Sequence, residues 1–64
     1  MSFNKLDSLY DGLQNIINDS QNDVTKFVDG NNSAGTRVRK AMQAVKQLAQ
    51  DIRLEVQDQK NNQF

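Results

Sequence analysis

Apolar residues recur every three or four positions along the first half of the chain. Eight positions alternate in spacing between three and four residues, and all but one are apolar or aromatic: Phe3, Leu6, Tyr10, Leu13, Ile17, Ser20, Val24 and Phe27. Three further residues broaden this stripe: Leu9, Ile16 and Val28. The spacing places these side chains on one face of an α-helix. We predict a first helix over about residues 3–28, capped by Asn4 or Ser2 and least regular around Ser20.

A second periodic stretch follows a break at residues 29–33. Gly30 suits the left-handed conformation that often follows a helix, and Asn32 or Ser33 suits the N-cap of the next one. The second helix is predicted over about residues 34–59. Ala41 and Leu48 widen its seam, which consists of Val38, Met42, Val45, Ala49, Ile52 and Val56. So short a connection makes the two helices antiparallel neighbours.

The predicted fold class is all-α, an antiparallel αα-hairpin over residues 1–60 with a frayed tail over 61–64. A chain of 64 residues without Cys has a small core and no disulfide to support it. Two helices also leave much of both apolar stripes uncovered. We therefore predict a homodimer in which two hairpins form a mainly antiparallel four-helix bundle, or a higher assembly built from it.

The residue types argue against an enzyme. The chain contains no His and no Cys, which removes the usual general base and the usual zinc ligands, and it has no Gly-rich phosphate loop. Tyr10 lies in the predicted seam, which favours packing over catalysis. We therefore predict no catalytic residue, metal site, cofactor or small-molecule substrate.

No apolar run approaches the roughly 18 residues of a membrane span, and no secretory signal is present. The sequence accordingly predicts a soluble protein without a membrane partner.

Charge is unevenly distributed although the net charge is zero. Residues 1–29 carry two basic and five acidic side chains, whereas residues 30–64 carry six basic and three acidic ones. Three of the basic residues open the second helix, where the helix dipole disfavours positive charge. Side chains of this type neutralise DNA phosphates, and free N–H groups at a helix start add to an anion site. The candidate phosphate-binding residues from this argument are Arg37, Arg39, Lys40 and Lys46.

One segment resembles a known family. The similarity rests on Gly30-Asn31, the run Ser-Ala-Gly-Thr-Arg-Val-Arg-Lys over 33–40, Leu48-Ala49 and Arg53. Residues 30–56 thereby resemble the small bacterial histone-like nucleoid proteins of the chlamydial linker-histone type. The resemblance implies sequence-independent DNA binding and compaction in the cytoplasm, at the nucleoid of a bacterium or in a virus-infected bacterial cell. It implies phosphate contacts at Arg37, Arg39 and Lys40, and weaker ones at Lys46 and Arg53.

Two functions remain open from the sequence. In that family a long Lys- and Ala-rich tail follows the helices, so the chain is expected to be a tail-less variant. The leading hypothesis is a histone-like, architectural DNA-binding protein that contacts the DNA backbone and not base edges, since no helix-turn-helix or zinc-finger spacing is present. The alternative is a helical oligomer that acts as a structural or protein–protein interaction module, which the net charge of zero favours.

Overall fold

The chain folds into two helices joined by a three-residue turn. A computed structural model describes residues 4–62, with α1 over Lys5–Val28 and α2 over Asn32–Asn61. The two helices pack against each other, which confirms the predicted helical hairpin. Residues 1–3 lie outside the described part, and with them the predicted seam position Phe3 and the alternative cap Ser2. Residues 63 and 64 of the predicted frayed tail also lie outside it.

The helix ends use their own side chains and the turn glycine. The Asn4 side-chain oxygen accepts from the Leu6 N–H at 2.8 Å and caps α1. At the other end, the Gly30 and Asn31 N–H groups donate to the carbonyls of Phe27 and Lys26, both at 3.0 Å. This Schellman pattern requires a positive φ after the cap, and Gly30 has φ +109°. The predicted role of Gly30 is therefore confirmed.

The second helix begins earlier than the sequence predicts. Its N-cap is Asn31, not Asn32 or Ser33, and the side-chain oxygen of Asn31 accepts from the Ala34 N–H at 3.2 Å. The Ser33 hydroxyl donates to the same oxygen at 2.7 Å. Because the Schellman pattern reverses the chain within three residues, Asn32 is already helical. The helix also continues past residue 59 to Asn61.

We expect the two glycines Gly30 and Gly12 to respond oppositely to alanine. Gly30→Ala places a Cβ at φ +109° and should lower the free energy of unfolding by about 1–2 kcal/mol. Gly12→Ala should raise it by up to about 1 kcal/mol, because Gly12 lies inside α1. Its new Cβ would lie an ordinary 4.0 Å from Leu48 Cδ1.

Thermal unfolding followed by circular dichroism at one fixed protein concentration measures both changes. Each 1 kcal/mol should shift Tm by roughly 4–8 °C in a domain of this size. A Gly30→Ala protein as stable as the parent would show that the turn does not need the left-handed conformation.

The side chains between the two helices follow a seven-residue repeat. On α1, the buried and half-buried positions include Leu6, Leu9, Leu13, Ile16, Ser20 and Asp23. On α2 they include Ala34, Val38, Ala41, Val45, Leu48, Ile52, Glu55 and Gln59. Both lists advance in alternating steps of three and four, as expected for helices that pack nearly antiparallel along their whole length.

The predicted seam is wrong in part. Tyr10, Ile17 and Val24 do not face α2 but are exposed, Tyr10 at 53% of its surface. Leu9 and Ile16 take their place between the helices. The apolar stripe of α1 is wider than one neighbouring helix can cover, so α2 covers one side of the stripe and leaves the other side in solvent. On α2, Met42 and Ala49 are likewise exposed.

Ser20 does not interrupt α1. The residue is only 5% exposed, and its hydroxyl donates to the Ile17 carbonyl within the same helix at 2.9 Å. A buried hydroxyl that is satisfied in this way avoids the cost of an unpaired polar group. The helix therefore passes through the polar stretch around Ser20 without a break.

The hairpin is a single layer of two helices. Its Cα extents are 53 × 23 × 11 Å, and its radius of gyration is 15.3 Å. A compact domain of this length would have a radius of gyration of about 10.7 Å. Among the described residues only Ala34 and Ser20 are buried, and no large side chain is fully buried. One hairpin alone thus has almost no closed core.

Candidate nucleic-acid interface

The five basic residues predicted to bind phosphate all lie on α2, but they point to different sides of it. Successive residues of a helix are about 100° apart, so neighbours in sequence diverge around the axis. Arg37 and Lys40 lie on the side of α2 that faces acidic residues of α1. Arg39, Lys46 and Arg53 lie on another side and are spaced by seven residues, so they share one flank of the helix. We call Arg39, Lys46 and Arg53 the basic flank.

Arg37 is held by an ion pair. Its Nε donates to Asp23 Oδ1 at 2.9 Å, with the Arg37 side chain 48% exposed and that of Asp23 21% exposed. Lys40 lines a shallow groove together with Asp19, Asp23 and Ser20. The positive charge of both residues is therefore offset locally by carboxylates of the neighbouring helix.

The acidic residues of α2 also lie away from the basic flank. Asp51, Glu55 and Asp58 line one groove with Lys5 and Leu9 of α1. The Lys5 ammonium lies 3.9 Å from a Glu55 carboxylate oxygen. We call the side of the hairpin that carries these groups the acidic edge, which consists of Asp19, Asp23, Asp51, Glu55 and Asp58.

The basic flank has no such counterions nearby. Lys46 and Arg53 line a shallow groove whose other residues are Ala49 and three glutamines, Gln43, Gln47 and Gln50. Arg39 lines one groove with Phe27 and Val38 near the turn and another with Lys40 and Gln43. Within residues 4–62, ion pairs form only at Arg37 and Lys5, so no member of the flank is engaged in one. The three side chains are exposed and available to an anion.

An exposed apolar face borders the basic flank. Tyr10, Ile17 and Val24 each follow an interface residue of α1 by one place, and Met42, Ala49 and Val56 do the same on α2. Because the helices are antiparallel, these positions fall on the same side of the hairpin. We call these six residues the apolar face; five of them are exposed, and Val56 is half-buried. On α2, every residue of the basic flank lies three positions before a residue of the apolar face, as Arg39 does before Met42. Residues three apart are neighbours on a helix, so the two surfaces adjoin.

The start of α2 is less available to an anion than the sequence suggests. The Asn31 side chain already accepts from the Ala34 N–H, and the Ser33 hydroxyl donates to that side chain. The nearest basic residue, Arg37, is held by Asp23. At the N-terminus of α2, where the sequence predicts an anion site, the capping side chain and the nearest basic residue are therefore already engaged.

Other kinds of site find little support in the described part of the chain. Residues 4–62 bring together no group of three side chains that would hold a metal ion. Neither α1 nor α2 combines the length and apolar character of a membrane-crossing helix.

Comparison with known proteins identifies one family. The profile of the family described as histone H1-like protein Hc1 matches residues 3–62, which is nearly the whole chain. No curated protein and no solved structure matches the chain. The match extends the similarity seen around the turn to both helices.

Proposed function

We propose that this chain, which belongs to the histone H1-like protein Hc1 family, binds the phosphate backbone of DNA without reading its sequence. Membership of the family supports a histone-like, architectural DNA-binding role and not an enzymatic one. The corresponding location is the nucleoid of a bacterium, or the DNA of a virus-infected bacterial cell. The contacts that we propose are made chiefly by the basic flank.

The observation that carries this proposal is the separation of charge across the hairpin. The chain is neutral as a whole, but five of its acidic groups lie along the acidic edge while the basic flank faces solvent without counterions. DNA therefore meets a locally positive surface in spite of the zero net charge. Arg and Lys side chains on that surface displace condensed counterions from phosphates, which favours binding at low salt.

Arg37 and Lys40 have a smaller part in this proposal. Arg37 would have to leave Asp23 before it contacts a phosphate, and the gain would be reduced by the lost ion pair. Lys40 lies beside the carboxylates of Asp19 and Asp23. We therefore expect both to contribute less than a member of the basic flank, although the resemblance ranks them first.

The proposal is tested by the salt dependence of binding to a labelled duplex of arbitrary sequence, followed by fluorescence anisotropy between about 50 and 200 mM salt. Each phosphate contact contributes about 0.9 to the slope of log affinity against log salt. The double variant Lys46→Gln/Arg53→Gln should flatten the slope by about 1.8. The control Lys5→Gln/Lys26→Gln removes the same net charge from α1 and should leave the slope nearly unchanged.

Circular dichroism must show equal helicity in all three proteins. Duplexes of unrelated sequence should bind with similar affinity, because no group of the basic flank is arranged to read base edges. Absence of binding by the parent protein at about 50 mM salt would overturn the DNA proposal. It would favour the alternative, in which the charged surfaces bind another protein.

We further propose that two chains pair through the apolar face into a homodimeric four-helix bundle. A single hairpin is one layer thick and leaves Tyr10, Ile17, Val24 and Met42 largely exposed. A second copy offers an apolar face of the same composition and length, and a two-fold axis lets each face cover the other. The basic flank would then border the interface, where long Lys and Arg side chains still reach solvent.

A further inference from the structure

We infer that Lys60 is the fourth member of a straight row of phosphate-binding side chains that runs along α2 with Arg39, Lys46 and Arg53. This inference rests on the proposed DNA-binding function and makes it more specific. Lys60 lies within the family match over residues 3–62 but beyond the segment 30–56 that carries the motifs around the turn. The row follows from the seven-residue spacing of these basic residues along α2.

The spacing of the row is uniform. Positions 39, 46, 53 and 60 are each seven residues apart in an uninterrupted helix that extends to Asn61. At about 1.5 Å per residue, neighbours in the row are separated by roughly 10.5 Å and its ends by roughly 31 Å. A straight helix rotates such a row by only about 20° per heptad. The four side chains therefore remain on one flank of α2.

The immediate surroundings of the row repeat with the same period. The residues three and four places from each basic residue within α2 are neutral, and they include three glutamines in a parallel row: Gln43, Gln50 and Gln57. They also include three residues of the apolar face: Met42, Ala49 and Val56. The acidic residues of α2 are Asp51, Glu55 and Asp58, and none of them occupies such a position. Glutamine side chains also donate hydrogen bonds to phosphate oxygens, so they add to a backbone-binding surface without reading bases.

Basic residues outside the row have different neighbours. Lys26 lies in the last turn of α1, three residues from both Asp23 and Asp29. Lys60 lies in the equivalent last turn of α2, with Val56 and Gln57 as its preceding neighbours. The two lysines therefore have the same relation to their helix dipoles but differ in local charge. This makes Lys26 a close control for Lys60.

The length of the row fits one turn of a DNA duplex. A duplex carries one negative charge per about 1.7 Å of its axis, so roughly 31 Å of duplex presents many phosphates to four basic side chains. At about 3.4 Å per base pair, this length corresponds to roughly nine base pairs. We infer that one chain spans about that much duplex along the direction of α2, with Lys60 at one end of the contact and Arg39 at the other.

Three variants of the chain are compared with the parent protein to test the row. The binding of each to the same labelled 20-base-pair duplex is measured by fluorescence anisotropy over a range of salt concentrations. Lys60→Gln should flatten the salt slope by about 0.9. If affinities converge at 1 M salt, this loss corresponds to about 8-fold weaker binding at 0.1 M. Lys26→Gln, with the same change in net charge, should leave both values nearly unchanged.

The third variant moves the charge without removing it. Lys60→Gln/Asn61→Lys keeps the net charge of the parent but turns the lysine by about 100° around the helix. We expect it to bind as weakly as Lys60→Gln. Circular dichroism checks that the last turn of α2 remains helical in each protein.

The possible outcomes separate this inference from the function on which it rests. If the parent binds and Lys60→Gln has the parent slope, the row is overturned while DNA binding stands. If Lys26→Gln weakens binding as much, or the displaced lysine restores it, net charge and not the row determines affinity, and the inference fails. If the parent does not bind at low salt, both the inference and the proposed function fail.

Discussion

Replacing Ile17 with aspartate is expected to dissociate the proposed homodimer and to reduce the helicity of the chain. Ile17 lies between Tyr10 and Val24 at the centre of the exposed part of α1, and its side chain is 46% exposed in a single hairpin. A second copy on the apolar face would cover it. A carboxylate there would then be buried without a partner, which costs several kcal/mol. Since one hairpin has almost no closed core, we expect the separated chains to lose most of their structure.

Sedimentation equilibrium and circular dichroism over a range of protein concentrations measure the two effects together. The parent should sediment as a dimer, and its melting temperature should rise with concentration, as for any obligate dimer. Asn18→Asp is the matched control, since Asn18 is exposed and no residue three or four places away is acidic. It introduces the same charge on the outer side of α1 and should remain dimeric.

A parent protein that sediments as a folded monomer would contradict the dimer. So would an Ile17→Asp protein with unchanged mass and helicity. In either case the apolar face would need another explanation, and the interaction-module hypothesis would gain support. Loss of dimerisation without loss of DNA binding would show that the basic flank acts within one chain.

The helices and the turn could be predicted from the sequence because their signals are local. The apolar spacing identifies both helices, and the position of Gly30 identifies the reversal between them. The sequence predicts the second N-cap at Asn32 or Ser33, one or two residues after the observed cap, Asn31. All three residue types are good caps, so the sequence alone does not distinguish them. Only the Schellman pattern, which depends on where α1 ends, selects Asn31.

The side of α1 that faces α2 could not be chosen from the sequence. Leu9 and Ile16 are adjacent in the chain to Tyr10 and Ile17, and either pair completes a seam with Leu6 and Leu13 at steps of three and four. The choice depends on how both helices fit together over their full length. The fit that is observed brings Arg37 to Asp23 and Lys5 to Glu55, which are pairings between distant parts of the chain.

The sequence predicts which basic residues are candidates for phosphate binding but not how they are arranged around α2. Arg37, Arg39 and Lys40 form a cluster in sequence, yet Arg37 turns to Asp23 of α1 while Arg39 and Lys40 line a groove with Gln43. The signal that identifies the flank is the interval of seven residues from Arg39 through Lys46 and Arg53, which also leads to Lys60. This interval is visible in the sequence, whereas the opposing acidic edge requires the packing of both helices.

Two leucines of α2 should show how much of the stability comes from packing between the helices. Leu48 is half-buried between α1 and α2, where its Cδ1 lies 4.0 Å from the position of a Cβ built on Gly12. Leu54 is 57% exposed on the same helix, where it lines the open groove that also contains Lys5 and Leu9. Both changes to alanine remove the same atoms and leave helix propensity nearly unchanged. Any difference between them therefore reflects the surroundings of each side chain.

Leu48→Ala is expected to lower the free energy of unfolding by about 2–3 kcal/mol, toward the lower end of the range for leucine-to-alanine changes in cores, because the site is only half-buried. Leu54→Ala should change it by less than about 0.5 kcal/mol. At about 4–8 °C per kcal/mol, the first variant should melt at least about 6 °C below the second when both are measured at one concentration. Equal melting temperatures would place Leu54 in an interface of its own, which would contradict a dimer formed through the apolar face alone.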